Sequence, residues 1–330
     1  MSEQTPRPAP RQRPRSRRTG LARPRVRDHS QTDLFNGFAG RAPGRGGEAA
    51  PFEQWSREQG LPDPARRQPG AVRVGTSGYS FPDWVGPFYP PGTKRHEMLD
   101  YYQRFFNTVE INATYYRIPP PATMQRMVER TPPHFDFMVK LPGALTHKRE
   151  KQREPVESFR RCVEPMQEAE KLAGALAQFP YSFHRSPRSE AYLAWLRETL
   201  PEMPLFVEFR HRSWDRSDLS ALLEALHLGF CSVDEPALPG LIPRRALTVG
   251  DVAYARFHGR NTATWWGGGS ERYDYRYDES ELAEWAAVLE GMAERATRSY
   301  IFFNNCHAGH AVLNAKMMED LLGLETIAES

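Results

Sequence analysis

Leu205-Phe206-Val207-Glu208-Phe209-Arg210 is a short apolar run that breaks, at its end, into two opposite charges. A run of this length suits a buried strand of a parallel sheet, where both faces are covered and no polar alternation is needed. The charges then fall where the strand leaves the sheet. Working outward, the same arrangement recurs along the chain. Further candidate strands are Val72–Gly75, Thr108–Ile111, Asp136–Leu141, Gly174–Phe179, Phe230–Val233, Ala253–Phe257 and Tyr300–Phe303. Between most of them lie helix-like stretches, Arg95–Phe105, Ala122–Arg130, Val156–Leu172, Ser189–Leu200, Leu219–Leu226 and Ser280–Arg295. Pro119-Pro120-Pro121 opens the second of these and Pro201 closes the fourth, because proline is tolerated only at helix ends. The interval after the sixth strand, with Pro236 and Gly240, is less helical.

Repeated strand-then-helix units predict a parallel sheet with helices outside it. Eight strands over roughly 260 residues match a (β/α)8 TIM barrel, whose usual length is about 250. A doubly wound sheet is the alternative. It would normally use fewer strands, and Gly75-Thr76-Ser77-Gly78 lacks the GxGxxG turn that a dinucleotide fold places after its first strand.

The α/β barrel domain is expected over residues 71–330, preceded by a disordered Arg/Pro/Gly-rich tail over residues 1–70. Arg7, Arg11, Arg13, Arg15, Arg17, Arg18, Arg23, Arg25 and Arg27 crowd the start, with almost no core-forming residue among them. Such a composition buries too little apolar surface to offset chain entropy. A short helix near Phe52–Gln59 is the one local element it suggests. The net charge of the whole 330-residue chain is only +3, so the basic excess is local. Such a basic tail is read either as a solvated segment with no fixed partner or as an electrostatic arm for nucleic acid or another polyanion.

Cys162, Cys231 and Cys306 are widely separated and follow no metal-ligand spacing, which points to reduced thiols in the cytoplasm. No segment has the length of an apolar membrane span, and the N-terminus lacks the apolar stretch of a secretory signal, so no membrane partner is expected.

The strand ends carry the functional signal. In chain order they place Ser77, Glu110 with Asn112, Lys140, Gln178, Glu208 with Arg210, Asp234, Arg256 with His258, and Asn304 with Asn305. In a barrel these positions ring the mouth where active sites lie. Buried charges require partners or a ligand, so a ring this mixed is either internally paired or built around a guest. By chemistry, Glu110, Glu208, Lys140 and Asp234 are the catalytic candidates: Glu110 and Glu208 as acid and base, Lys140 as an amine nucleophile or an anion ligand, and Asp234, with Glu208 and His258, of a type that also ligates divalent metals. Arg210 and Arg256 suit phosphate or carboxylate recognition, with Ser77, Asn112, Tyr116, Gln178, His258, Asn304 and Asn305 as further substrate contacts. Two arginines and a lysine oppose cation binding, so no metal is assigned, and the residues name no cofactor.

Several loops that follow strands are aromatic. Tyr79, Phe81, Trp84, Phe88 and Tyr89 follow the first strand, and Trp265-Trp266-Gly267-Gly268-Gly269 with Tyr273, Tyr275 and Tyr277 follows the seventh. Rings beside basic groups stack on planar or sugar-like ligands, and the glycines would let Trp265 and Trp266 move as a lid.

These residues carry a family resemblance. Val74-Gly75-Thr76-Ser77-Gly78 with Trp84, Thr108-Val109-Glu110-Ile111-Asn112 with Tyr116, and Val139-Lys140 with His147 resemble the YecE-like family, the domain of unknown function 72. Gln178-Phe179-Pro180, Glu208-Phe209-Arg210, Asp234-Glu235-Pro236, Arg256 with His258-Gly259, and Phe303-Asn304-Asn305 continue the match in order. Tyr79, Phe81 and Ala113 depart from its usual Trp, Tyr and Ser. The resemblance implies a TIM barrel and leaves the reaction open. A likeness of shape to endonuclease IV and sugar isomerases is one of fold alone. The leading expectation is an enzyme acting on a small phosphorylated or anionic substrate, a sugar or nucleotide. The alternatives are a nucleic-acid-binding protein or metal-dependent phosphodiesterase, and a non-catalytic sensor or scaffold.

Overall fold

The computed structural model of the protein describes residues 71–324. The tail, its suggested helix near Phe52–Gln59 and its proposed polyanion contacts lie outside the described residues. Among the described residues, no helix is long and apolar enough to cross a membrane.

The apolar runs form eight strands: β1 Val72–Thr76, β2 Thr108–Ile111, β3 Asp136–Lys140, β4 Leu172–Gln178, β5 Leu205–Glu208, β6 Gly229–Asp234, β7 Val252–Phe257 and β8 Arg298–Phe303. They hydrogen-bond in the order β1-β8-β7-β6-β5-β4-β3-β2, each pair parallel. A parallel bridge between Ser77 and Glu110 joins β1 to β2 at the C-terminal end, so the sheet closes on itself. This is the (β/α)8 barrel that the sequence pattern predicts.

The helices start and stop for local reasons. Pro121 occupies the first turn of Pro121–Glu129, where its missing N–H costs nothing. Ser186 Oγ accepts from Ser189 N at the head of Pro187–Thr199, and Asp278 and Glu281 form a reciprocal capping box at the head of Glu279–Ala293. Two expectations shift. Leu172 opens β4 instead of ending a helix, because the helix Arg153–Glu168 stops four residues earlier. A helix that the sequence reading did not mark, His310–Leu321, follows β8 and buries Ala311, Val312, Ala315 and Met318. No helix lies between β6 and β7 among the described residues.

Strand register decides what faces the barrel axis. Register partners in a parallel sheet share a face, and faces alternate along each strand. Glu110 pairs with Met138, Lys140 with Leu176, Leu176 with Phe206, and Gln178 with Glu208. Cys231 pairs with Tyr254, Val233 with Arg256, and Arg256 with Phe302. All of these belong to the inner face. Phe206, Tyr254 and Phe302 fill the axis with ring centroids 5.3 and 5.7 Å apart in sequence of contact. A Cβ on Gly229 would meet the Phe206 ring at 2.3 Å, so only glycine leaves room for that ring. Below it, Arg73 pairs with Asp136 at 3.0 Å, and Tyr300 Oη donates to the same carboxylate at 2.5 Å, closing the N-terminal end. The outer face packs on helices, as where Phe257 lies 5.3 Å from the Trp285 ring. The apolar axis is therefore a floor, and the polar strand ends stand on it.

Candidate active site at the barrel mouth

Arg256 occupies the centre of the mouth. Its Nη1 donates to Glu208 Oε2 at 2.5 Å and its Nη2 to Glu110 Oε1 at 2.7 Å, with Ser77 Oγ at 3.4 Å. Tyr254 Oη donates to the other Glu110 oxygen. All of these groups are buried. Burial opposes charge on Arg256, and Glu110 and Glu208 more than restore it.

A second guanidinium extends the network. Arg210 Nη2 lies 2.6 Å from Glu208 Oε1, and Arg210 Nη1 donates to Glu235 Oε2 at 2.5 Å. Burial alone would raise the Glu208 carboxyl, but Arg210 and Arg256 hold it well below the usual carboxylate range. Glu235 behaves differently: burial pushes it up to about 7, against the pull of Arg210. His258 Nε2 lies 3.0 Å from Arg210 Nη2 and 3.3 Å from Glu208, and its Nδ1 lies 3.0 Å from Asn304 Nδ2. Burial and the adjacent Arg210 lower His258 to about 3, so the ring is neutral.

Lys140 stands apart from this network. Among the described residues its ammonium has no carboxylate or hydrogen-bond partner. It lies over the Tyr115 ring, 4.6 Å from the centroid. Burial, reinforced by Arg256, lowers it to about 7 although Glu208 and Glu110 pull the other way.

Above these groups is a cavity of about 210 Å³ lined by Asn112, Tyr116, Lys140, Gln178, Arg210, Arg256 and Asn304, together with Phe81, Asp83, Ser270, Tyr273, Cys306 and His307. Its lining presents three cations, Lys140, Arg210 and Arg256, and one carboxylate, Asp83. Glu110, Glu208 and Glu235 are not part of that wall; each sits behind the guanidinium it pairs with. A larger, more open groove of about 800 Å³ runs beside the mouth along Tyr115, Pro119 and His147, and shares Tyr116 with the cavity. It lies off the barrel axis and holds none of the paired charges of the mouth.

The comparisons with known proteins agree with this architecture. A family model described as "Protein of unknown function DUF72" matches residues 73–329. The chain belongs to the DUF72 family. Within it, the UPF0759 protein YunF of Bacillus subtilis is 32% identical over 273 residues, covering 77% of this chain and 95% of that protein. The UPF0759 protein YecE of Escherichia coli K12 is 29% identical over 143 residues, or 42% of this chain and 48% of that one. A DUF72 family crystal structure from Thermotoga maritima MSB8 superposes with a TM-score of 0.72 at 43% identity, covering 76% of this chain and 99% of that chain. One from Enterococcus faecalis V583 gives 0.70 at 25% identity, covering 78% and 99%.

In this DUF72 barrel, Asn112, Tyr116, Lys140, Gln178, Arg210, Arg256 and Asn304 meet at the cavity. Ser77, Glu110, Glu208 and His258 lie directly beneath it, held by the contacts above. Asp234 and Asn305 do not reach it. Both fall on the outer face, one residue out of phase with Val233 and Asn304. Asp234 accepts from Arg260, from Tyr277 Oη at 2.7 Å and from Trp285 Nε1 at 2.7 Å, tying β6 to the helix Glu279–Ala293. Asn305 Nδ2 donates to Tyr275 O and to Asn314 Oδ1, both at 2.8 Å, and so anchors the loop before that helix.

The aromatic loops divide. Trp84, Phe88 and Tyr89 pack onto the rim, with Trp84 Nε1 donating to Cys306 O at 2.6 Å. Trp265 is buried and covers Arg210, whose guanidinium carbon lies 5.6 Å from its ring centroid. Trp266 is 55% exposed and meets Tyr181 edge-on. Neither tryptophan lines the cavity. Tyr273, from the same loop, does.

The sequence reading gave Glu235 no role at the mouth and placed Tyr273 only within an aromatic loop. Glu235 is the inward neighbour of Asp234, and counting in twos from Cys231 would have selected it. Tyr273 reaches the mouth from a one-turn helix, Gly269–Tyr273, within a loop whose path no periodicity reports.

Proposed function

We propose that the protein is an enzyme whose substrate is a small phosphorylated or otherwise anionic molecule bound at the barrel mouth. One observation carries this reading. The cavity lining offers Lys140, Arg210 and Arg256 against the single carboxylate Asp83, whereas Glu110, Glu208 and Glu235, which pair with the two guanidiniums, do not line it. An anion in the cavity meets cation edges in a poorly hydrated setting, where charge-assisted hydrogen bonds are strongest. Asn112 Oδ1 is buried without a partner, and Gln178 and Asn304 add amides, so substrate hydroxyls have both donors and acceptors to meet. The volume of about 210 Å³ suits a molecule of a few carbons better than a polymer. Glu110 and Glu208 serve in this reading to fix the guanidiniums.

The test is calorimetric titration of the full chain with glycerol 3-phosphate, inorganic phosphate and glycerol. The phosphate compounds bind and glycerol does not. Arg210→Lys keeps the charge that Glu208 and Glu235 require but loses the planar fork. Phosphate binding then weakens about ten-fold, or 1.4 kcal/mol. Binding by the Arg-rich tail is blind to that substitution. Equal binding of glycerol and glycerol 3-phosphate, or an Arg210→Lys protein indistinguishable from wild type, overturns the proposal.

A further inference from the structure

The chain has six lysines, Lys94, Lys140, Lys148, Lys151, Lys171 and Lys316. Lys94, Lys148 and Lys151 are exposed. Lys171 is buried and spends its three protons on Val128 O at 2.8 Å, Thr131 O at 2.7 Å and Thr131 Oγ1 at 3.1 Å. Lys316 is buried 3.5 Å from Glu319. Lys140 fits neither group. It lines the cavity, and among the described residues no carboxylate pairs with it, although Glu110 and Glu208 stand close by. Arg256 occupies both of those carboxylates and Arg210 holds Glu208 and Glu235. The mouth thus commits Glu110, Glu208 and Glu235 to guanidiniums, and the remaining carboxylate of the cavity lining, Asp83, accepts from Ala308 N at 2.7 Å.

A lysine whose task is only to contribute charge gains from a counter-ion, and in this Arg-rich chain an arginine would hold that charge permanently. A lysine left without a carboxylate partner in a cavity that two guanidiniums also line is instead available as a free amine, and free amines add to carbonyl carbons. We propose that Lys140 is a nucleophile that forms an imine with a small aldehyde or ketone carrying an anionic group. This rests on the anion-site reading above, since Arg210 and Arg256 would hold the anionic end while the carbonyl faces Nζ.

The step balances without any further reagent. The Nζ lone pair forms the C–N bond as the carbonyl π pair moves to oxygen, giving a carbinolamine after proton transfer from nitrogen. The C–O bond then breaks, and oxygen leaves as water with both amine protons. The product is a C=N bond with no change of oxidation state. Burial and the neighbouring Arg256 and Arg210, opposed by Glu208 and Glu110, place the amine at about 7, so both its forms are populated near neutrality. His147 and Tyr115 lie on its other side, and Asp83, Tyr116, Tyr273, Cys306 and His307 share its cavity; His147 is lowered to about 4 and is neutral there.

The experiment is borohydride trapping on the full chain with glyoxylate, pyruvate and dihydroxyacetone phosphate as separate probes, read by intact mass and peptide mapping. The expected result is one reduced adduct per chain, located at Lys140, with at least one probe. It is absent from Lys140→Met and Lys140→Arg proteins whose melting temperatures match wild type. Its rate passes through a maximum near neutral pH, because the amine is freed as pH rises while anion binding weakens. Adducts spread over Lys94, Lys148 and Lys151, or none at Lys140 with all three probes, overturn the proposal. Calorimetry with glycerol 3-phosphate, which has no carbonyl, separates the two failures. If it still binds, only the imine is wrong; if it does not, the anion site falls as well.

Discussion

Arg256 Nη2 lies 2.7 Å from Glu110 Oε1, joining β7 to β2 across the barrel between residues 146 positions apart in the chain. The same guanidinium holds Glu208 on β5, so one side chain ties three strands together at the level where the apolar axis ends. Removing it leaves Glu110 with only the Tyr254 hydroxyl and Glu208 with Arg210 as its one remaining guanidinium, whereas removing Glu110 leaves Arg256 paired with Glu208. Breaking a buried pair typically costs about 3–5 kcal/mol. Arg256→Met is expected to lose at least that much in urea unfolding, and Glu110→Gln distinctly less. Equal losses would mean that Glu208 does not share the charge.

His258 links stability to acid. Its ring is neutral in the fold because burial and Arg210 lower it to about 3, while an unfolded chain protonates it near its ordinary 6.5. Between those values the unfolded state binds a proton that the native state does not, so stability falls as pH falls from about 6.5 toward 3. One such group contributes a slope of about 1.4 kcal/mol per pH unit. Glu208, whose carboxyl is held low, adds a loss that sets in as pH falls into the ordinary carboxylate range. Denaturant titrations at several pH values are expected to show a shallower dependence between pH 6.5 and 5 in His258→Gln than in wild type. An unchanged slope would place the proton uptake elsewhere.

Anion affinity is expected to decline as pH rises through neutrality. Lys140 and Glu235 both titrate at about 7, and the protonated forms leave the mouth with more positive charge. Calorimetry with glycerol 3-phosphate from pH 6 to 8 reads this directly. Glu235→Gln fixes one of the two groups in its uncharged form and is expected to flatten the profile without abolishing binding.

The adjacent asparagines Asn304 and Asn305 are expected to behave as opposites. Asn305 is buried and satisfies the Tyr275 carbonyl and Asn314, so Asn305→Leu leaves buried polar groups without partners. That costs about 1–3 kcal/mol and leaves the affinity for glycerol 3-phosphate unchanged. Asn304 lines the cavity and contacts His258, so Asn304→Leu is expected to weaken that affinity. Binding and thermal melts on the two proteins decide the matter, and reversed effects would refute the inward and outward assignment.

The paired tryptophans provide a similar contrast. Trp266 is 55% exposed, and its truncation to alanine is expected to change stability by no more than about 0.5 kcal/mol. Trp265 is buried over Arg210, and its truncation is expected to cost about 3–5 kcal/mol and to weaken anion binding by opening the back of that guanidinium to water. Urea unfolding with and without glycerol 3-phosphate measures both.

By itself the sequence determined that this chain is a parallel barrel with a polar mouth. Apolar runs such as Leu205–Val207 bury on both faces, proline and capping residues delimit the helices between them, and charges at the run ends cannot lie on the apolar axis. It could not decide between Asp234 and Glu235, or between Asn304 and Asn305. In a barrel both faces of a strand are covered, so Cys231 inward and Phe230 outward look alike and no alternation marks the phase. Only pairing with neighbouring strands sets that phase, and a slip of one residue exchanges the two faces. Tertiary structure alone also chose the partners. Glu110, Lys140, Glu208 and Arg256 are equivalent as charges in the chain, but distance across the mouth binds the carboxylates to arginine and leaves the lysine amine facing the cavity.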